Sequence, residues 1–263
     1  MSTYVMSDIH GCYDIFIKML KQIKFGDDDR LILAGDYIDR GLQNREMLDF
    51  ICKCPENVEL LKGNHDLEFA YYVKLLEAYF EKNGLNESSI NDTKDAYLFM
   101  KDTTKRNGVS YFDSYNTILY FIELYGVTLS KLKEWANPIF DLPYYKALTI
   151  NNKNYIIVHA GFIEDLKGGA TEIEYASEEE FYIYAREDAY KVGGAVDSVI
   201  ISGHTPTNIE GEFCYNDGKV FKFYNEKMNC TYYNIDCGCA YRKRLHNGKL
   251  ACIRLEDEKI FYV

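Results

Sequence analysis

Four histidines, each set beside a glycine at the end of an apolar run, concentrate the chemistry of this chain. They lie in Asp8-Ile9-His10-Gly11, Gly63-Asn64-His65-Asp66, Val158-His159-Ala160-Gly161 and Ser202-Gly203-His204-Thr205. A fifth segment, Gly35-Asp36-Tyr37-Ile38-Asp39-Arg40-Gly41, adds two carboxylates and an arginine after Leu31-Ile32-Leu33-Ala34. Imidazole nitrogens and carboxylate oxygens are ligands for hard and borderline cations, and a guanidinium suits an anionic substrate. Together they offer a site for two cations.

Two cations held close together can activate water and neutralise both the attacking and the leaving oxygen of a phosphoryl transfer. A carboxylate can span two metals, whereas one imidazole lone pair serves one, so the bridge is expected at Asp36, the central aspartate. Asp8 and His10, two apart and on one side of an extended strand end, could hold the first metal. Asn64, His159 and His204 could hold the second. Asp39 and His65 are then left over. An imidazole oriented by a carboxylate can stay protonated and serve a leaving alkoxide as general acid. Arg40 would grip phosphoryl oxygens.

The elements that must position these groups follow from the hydrophobic pattern. Residues 2–7 read as a strand, 14–23 as a helix, 30–34 as a strand, 43–53 as a helix and 58–61 as a strand. This alternation predicts a parallel sheet with crossover helices, whose ligands bind beyond the carboxyl ends of the strands. The first three motifs fall at those ends. Residues 67–149 read as long amphipathic helices, interrupted near Asn83-Gly84 and Asn107-Gly108, and their aromatic residues as core and cap packing. Strand signals return at Asn154 to Val158 and Ser198 to Ile201, each ending in a histidine motif. Residues 213–263 read as antiparallel strands. His246 lies in a turn-like segment with no motif around it.

The 263 residues suit one domain with a large insertion, and 47% hydrophobic residues suffice for a sizeable core. The formal charge of -11 argues against nucleic acid or an anionic membrane as partner, so a phosphorylated substrate must meet locally placed cations. The first residues enter a strand without a signal-like segment and no apolar run reaches a membrane span, which leads us to expect a cytoplasmic protein. The eight cysteines are expected as reduced thiols, since Cys52/Cys54 and Cys237/Cys239 lack the C-x-x-C spacing of zinc or redox motifs.

Taken in order, D-x-H-G, G-D-x-x-D-R-G, G-N-H-D, H-A-G and G-H-T resemble the phosphoprotein phosphatase branch of the calcineurin-like metallophosphoesterases, and most closely its bacterial and phage serine/threonine protein phosphatases. The resemblance runs from Tyr4 to about Leu255, with residues 67–149 matched only in position. It implies an α/β fold, a four-layer α/β/β/α sandwich with a helical insertion at about 67–149, forming a single domain over residues 1–263. It also implies a dinuclear site filled by manganese (Mn2+), or by iron and zinc, and hydrolysis by a bridging hydroxide.

In this sequence the resemblance supports Asp8, His10, Asp36, Asn64, His159 and His204 as metal ligands, with His65 and Asp39 as the catalytic pair. It places Arg40, Arg186 and Asn64 on the substrate phosphate, Arg186 through the segment Tyr182-Ile183-Tyr184-Ala185-Arg186. Tyr184 stands where the family often has tryptophan, and an arginine there could also simply pair with Glu187 or Asp188. Asp66 replaces a common glutamate and would orient a ligand rather than bind metal. The implied substrate is a phosphorylated protein or a small phosphoester, with serine/threonine or dual specificity. The alternative is a diadenosine polyphosphate hydrolase, since symmetric diadenosine tetraphosphate hydrolases also carry D-x-H-G-C-Y and G-N-H-D. They typically lack the second aspartate and G-H-T-P, both present here as Asp39 and Gly203-His204-Thr205-Pro206. A more remote alternative is a metal-bound interaction module without turnover, against which His65, Asp39 and Arg40 argue.

Overall fold

The computed structural model describes residues 1–86, 99, 113–164, 175–209 and 211–263. The alternation expected at the start is present as β1 (Thr3–Met6), α1 (Tyr13–Ile23), β2 (Arg30–Leu33), α2 (Asn44–Cys52) and β3 (Val58–Leu60). Among the described residues, α3 (Asn64–Asn83), α4 (Asp113–Tyr125) and α5 (Leu129–Phe140) follow. Next come β4 (Tyr145–Ile150), β5 (Lys153–Val158), α6 (Glu178–Tyr184), α7 (Asp188–Lys191) and β6 (Ser198–Ser202). The chain ends in β7 (Phe221–Asn225), β8 (Cys230–Asn234), β9 (Ala251–Arg254) and β10 (Lys259–Tyr262).

The ten strands among the described residues form two five-stranded sheets, ordered β10-β9-β1-β2-β3 and β4-β5-β6-β8-β7. Strands β1, β2 and β3 run parallel, as do β5, β6 and β8, while the hairpins β9/β10, β7/β8 and β4/β5 add antiparallel pairs. Successive side chains on a strand face opposite sides of its sheet. Hence Tyr4 and Met6 of β1 pack outward against Phe16 and Met19 of α1, whereas Val5 packs inward with Ile32, Ile157 and Ile201. On the far side, Ile200 of β6 meets Phe181 of α6 and Ala189 of α7. Three apolar interfaces separate four layers, α/β/β/α.

Local sequence explains several boundaries. Helix α1 buries Phe16, Met19 and Ile23 at helical spacing and stops at Lys24 in a left-handed conformation. Helix α3 ends at Gly84, also left-handed, where the Asn83-Gly84 interruption is expected. The Asn107-Gly108 expectation lies outside the described residues. The helical stretch differs from its expected limits. Helix α3 already begins at Asn64, helices end at Phe140, and Tyr145–Ile150 form a strand where helix is expected. Pro143 disfavours helix in the residue before it, and the half-buried side chains of Tyr-Lys-Ala-Leu-Thr-Ile alternate with period two.

All eight cysteines are free thiols. Cys237 packs between the sheets and Cys239 opens a short 3-10 turn (Cys239–Tyr241). No helix among the described residues is long and apolar enough to cross a membrane.

Candidate metal centre

Five strand ends converge on one buried cluster. The segment after β1 supplies Asp8 and His10, that after β2 supplies Asp36, Asp39 and Arg40, and the first turn of α3 supplies Asn64 and His65. His159 and His204 follow β5 and β6 in the second sheet. Apart from Arg40, all of these side chains are buried. Concentrating so many ionisable groups away from water is costly unless they are paired or hold a cation.

Asp8 and His10 do not reach the site as an extended strand end. Strand β1 stops at Met6, and both residues take left-handed backbone angles, with φ of 54° and 47°. The segment is held instead by the second motif, His10 N–H donating to Asp36 O at 2.9 Å and Gly11 N–H to Tyr37 O at 2.8 Å. Asp36, Asp39, Arg40 and His204 are left-handed as well. Such a conformation costs about 1–2 kcal/mol for a residue with a β-carbon, and its clustering here marks a functional constraint on the backbone. Gly203 lies so close to the site that a β-carbon would collide with the Asp8 carboxylate and the Ser7 hydroxyl.

The two oxygens of Asp36 face opposite ways. Oδ2 lies 3.4 Å from His10 Nε2, and Oδ1 lies 3.5 Å from His159 Nε2. On the His159 side, Nδ1–H donates to Ala34 O at 2.9 Å, which leaves the Nε2 lone pair facing inward. That nitrogen is 3.1 Å from Asn64 Oδ1 and 3.2 Å from His204 Nδ1, and His204 Nδ1 is 3.0 Å from the same amide oxygen. An electron-rich triangle of this size is stable only around a proton or a cation.

On the other side, His10 Nδ1–H donates to Ile38 O at 2.8 Å, so its Nε2 likewise faces Asp36, with Asp8 Oδ1 at 3.9 Å. His10, Asp36 and His65 form one group whose ligand atoms all lie within 4.8 Å of one another, and Asp36, His159 and His204 form a second. The donor set therefore fits two cations sharing Asp36, with nitrogen and oxygen ligands on both sides.

The electrostatics agree. Burial would raise the Asp36 carboxyl, but His159, His65 and His10 around it outweigh burial and hold it well below the usual carboxylate range. Burial pushes Asp8 up to about 6, against the Ser7 hydroxyl and the His204 N–H, which both donate to it. Burial drives His10 and His204 well down, which keeps their rings neutral with one lone pair each.

His65 is set apart by its partner. Its Nδ1–H donates to Asp39 Oδ2 at 2.6 Å, and Asp39 is fully buried. Burial lowers the His65 pKa, but Asp36 and Asp39 overcome it and push it up to about 9. Arg40 complicates this. Its Nη1 donates to His10 Nε2 at 2.9 Å and its Nη2 to His65 Nε2 at 2.8 Å. The second contact requires an unprotonated Nε2, so full protonation of His65 and withdrawal of Arg40 must go together.

Three supporting residues, Ser114, Thr117 and Glu68, escape a reading of the motifs. From α4, the Ser114 hydroxyl donates to Asp39 Oδ2, and the Thr117 hydroxyl donates to Asp39 Oδ1 at 2.6 Å. Asp66 accepts backbone N–H bonds from Asp36 at 2.7 Å, Tyr37 at 3.0 Å and Gly63 at 3.2 Å. It thereby ties the α3 N-terminus to the ligand loop, in line with an orienting role. Glu68, one helical turn after Asn64, lines a pocket beside the cluster, and burial pushes its carboxyl up to about 7. The i, i+4 spacing from Asn64 is a signal that could have identified it.

That pocket, of about 320 Å³, opens directly above the cluster and is lined by Arg40, Asn64, His65, Arg186 and His204, with Tyr184 and Tyr241 at its sides. Arg186 sits in the turn between α6 and α7, and is brought to the pocket with Arg40. His246 lies on the exposed loop before β9.

The layers and this cluster define an α/β/β/α fold that gathers a buried set of metal-ligand side chains at its strand ends. The model of the calcineurin-like phosphoesterase family matches residues 1–239, and the chain belongs to that family. It is similar to a symmetrical bis(5'-nucleosyl)-tetraphosphatase of Enterobacter sp. (strain 638), at 46% identity over 68 residues, which is 26% of this chain and 24% of that protein. It is also similar to the protein of the same description from Buchnera aphidicola subsp. Baizongia pistaciae, at 36% identity over 94 residues, or 35% and 32% of the two chains. The matched segments thus span about a quarter to a third of these relatives. In fold, the chain resembles a protein serine/threonine phosphatase from Saccharomyces cerevisiae, with a TM-score of 0.54 at 15% identity, covering 100% of this chain and 79% of the other.

Proposed function

We propose that this centre hydrolyses phosphomonoesters, as a serine/threonine or dual-specificity protein phosphatase. The observation that carries the reading is the His65–Asp39 pair at 2.6 Å beside the Asp36 cluster. Asp8, His10 and Asp36 would hold one divalent ion, and Asp36, Asn64, His159 and His204 the other. Manganese is our expectation for both. When bound, such ions activate water and neutralise charge on the phosphoryl oxygens.

The remaining work falls to the chain itself. Arg40 and Arg186 grip the phosphoryl oxygens, with the Asn64 amide beside them. As water attacks phosphorus and the bond to the leaving oxygen breaks, His65 Nε2 delivers its proton to that oxygen. Asp39 stabilises the imidazolium, and Ser114 and Thr117 keep Asp39 in place. An interaction module without turnover would have no use for this pairing.

A second reading, hydrolysis of diadenosine polyphosphates, is favoured by the curated relatives, both described as symmetrical bis(5'-nucleosyl)-tetraphosphatases. The retained Asp39 supports the first. The test is manganese-dependent phosphate release from p-nitrophenyl phosphate, followed by kcat/KM for a phosphothreonine peptide and for diadenosine tetraphosphate. Higher kcat/KM on the peptide supports the leading reading, and higher kcat/KM on the dinucleotide replaces it with the second. No metal-dependent turnover of any of the three would overturn both.

A further inference from the structure

Two demands fall on Arg40. Its guanidinium spans two imidazoles, with Nη1 2.9 Å from His10 Nε2 and Nη2 2.8 Å from His65 Nε2. The first cation needs the same His10 lone pair, and a phosphoryl group needs the same guanidinium. Both are served only if Arg40 turns away from the rings. A guanidinium that gives up two acceptors in a partly buried site needs another to hold it in place.

Asp236 offers that acceptor. It follows β8, whose parallel pairing with β6 sets Ser202 opposite Asn234 and so brings Asp236 level with His204. The residue is buried and its backbone is held on both sides, N–H donating to Asn234 Oδ1 at 2.9 Å and the carbonyl accepting the Thr207 N–H at 2.9 Å. Of its carboxylate, Oδ1 accepts the Gly238 N–H at 2.9 Å, whereas Oδ2 is buried and takes no hydrogen bond from the described residues. A buried carboxylate oxygen without a donor is rare in a native structure. Asp8 and Asp36 face Asp236 as like charges, and Arg40 is the cation set against them. The turn that Asp236 opens meets Arg40 again through Tyr241, whose N–H donates to Gly238 O at 2.9 Å and whose ring centroid lies 5.6 Å from the guanidinium carbon. Arg40 and Tyr241 line the catalytic pocket together.

We infer that Asp236 is a positioning residue for Arg40: its Oδ2 receives the guanidinium when Arg40 turns from His10 and His65, and aims the remaining N–H groups into the catalytic pocket. A guanidinium carries more donors than one pair of phosphoryl oxygens takes, so a carboxylate can hold it from behind while its fork faces the substrate. The Tyr241 ring covers one face of the same group. The exchange releases His10 Nε2 and leaves His65 Nε2 able to carry its proton. One movement of Arg40 thus prepares the ligand, the acid and the phosphate clamp together. Asp236 acts through Arg40 alone. This inference rests on the reading that Arg40 grips the phosphoryl group, and adds what holds it there.

The test is a double-mutant cycle over Arg40→Met and Asp236→Asn. It is read as calorimetric binding of inorganic phosphate to the manganese-saturated chains at a fixed free manganese concentration, with bound manganese per chain measured alongside. Asp236→Asn is expected to weaken phosphate binding by about tenfold with manganese content retained, and Arg40→Met by at least as much. In the Arg40→Met chain, Asp236→Asn should then change the affinity by less than about twofold, because the group it positions is gone. A role in the fold alone would weaken binding equally in both backgrounds. That result, native affinity in Asp236→Asn, or loss of manganese from it would overturn the inference. Asp236→Ser taken through the same cycle decides the matter if the asparagine chain does not fold. Native affinity in Arg40→Met would overturn the phosphate grip itself and this inference with it, whereas lost affinity in Arg40→Met beside native affinity in Asp236→Asn would overturn this inference alone.

Discussion

The Asp39 carboxylate takes the His65 Nδ1–H at 2.6 Å while both of its oxygens are occupied by hydroxyls of α4, Ser114 on Oδ2 and Thr117 on Oδ1. A buried carboxylate with donors on both oxygens is fixed in orientation, and so is the ring it holds. Helix α4 thereby fixes the carboxylate of the proposed catalytic pair.

Thr117→Val removes one of those hydroxyls and leaves Asp39 Oδ1 buried without its donor. A hydrogen bond to a charged group contributes about 1.5–3 kcal/mol, so thermal stability should fall. Turnover should fall by about tenfold through the looser imidazole, with KM and metal content unchanged. Steady-state kinetics on p-nitrophenyl phosphate with a metal assay checks this. A variant with native kcat would reduce Thr117 to a packing role.

Asp66→Asn tests the tie between α3 and the ligand loop. Both oxygens of Asp66 accept backbone N–H groups, so in either orientation an amide would turn its NH2 toward a donor. We expect a loss of about 1–3 kcal/mol in unfolding free energy and metal affinity weaker by about 10–100-fold. Denaturant unfolding and a metal titration measure the two. Native affinity in a destabilised variant would separate the fold from the ligand loop.

Arg186→Ala should raise KM for a phosphoryl substrate by about tenfold or more without loss of metal, since the arginine lines the pocket from a turn and is not one of the proposed metal ligands. Unchanged kinetics would return Arg186 to the surface.

Much of this site was legible in the sequence because its parts sit at strand ends, where apolar runs and glycines announce them. The Asp8, Asp36, Asn64, His159 and His204 segments needed only the hydrophobic pattern and the motif order. Ser114 and Thr117 gave no such signal. They lie 75 and 78 residues from Asp39 in a helix whose pattern speaks only of packing, and tertiary placement alone brings them to the carboxylate. The route of Asp8 and His10 was misread for a related reason. Their spacing of two suggests an extended strand, but contacts with the Asp36 loop impose left-handed backbone instead. Strand β4 was hidden inside a helical stretch because periodicity over six residues is a weak signal beside its long helical neighbours.

Acid stability should depend on Glu59. This β3 carboxylate pairs with Arg30 of β2 and lies 2.8 Å from Lys146 of β4, so it joins the edges of the two sheets. Burial would raise its pKa, but the two cations hold it below the ordinary glutamate value of 4.5. Its stabilisation is therefore complete above about pH 4.5 and is lost as pH falls through the lower folded value. Glu59→Gln should melt below the native chain at pH 7, and the gap should close on acidification toward pH 3. A gap that is constant across this range would remove the ion pairs from the account.

The central claim is a division of labour between Asp36, which holds metal, and His65, which moves a proton. Metal content per chain, determined beside p-nitrophenyl phosphate turnover for the native protein, Asp36→Ala and His65→Ala, tests it most directly. The account predicts two divalent ions in the native chain, loss of metal and turnover together in Asp36→Ala, and retained metal with turnover lowered by about 100-fold or more in His65→Ala. Equal loss of metal in the two variants, or turnover in His65→Ala close to native, would contradict it.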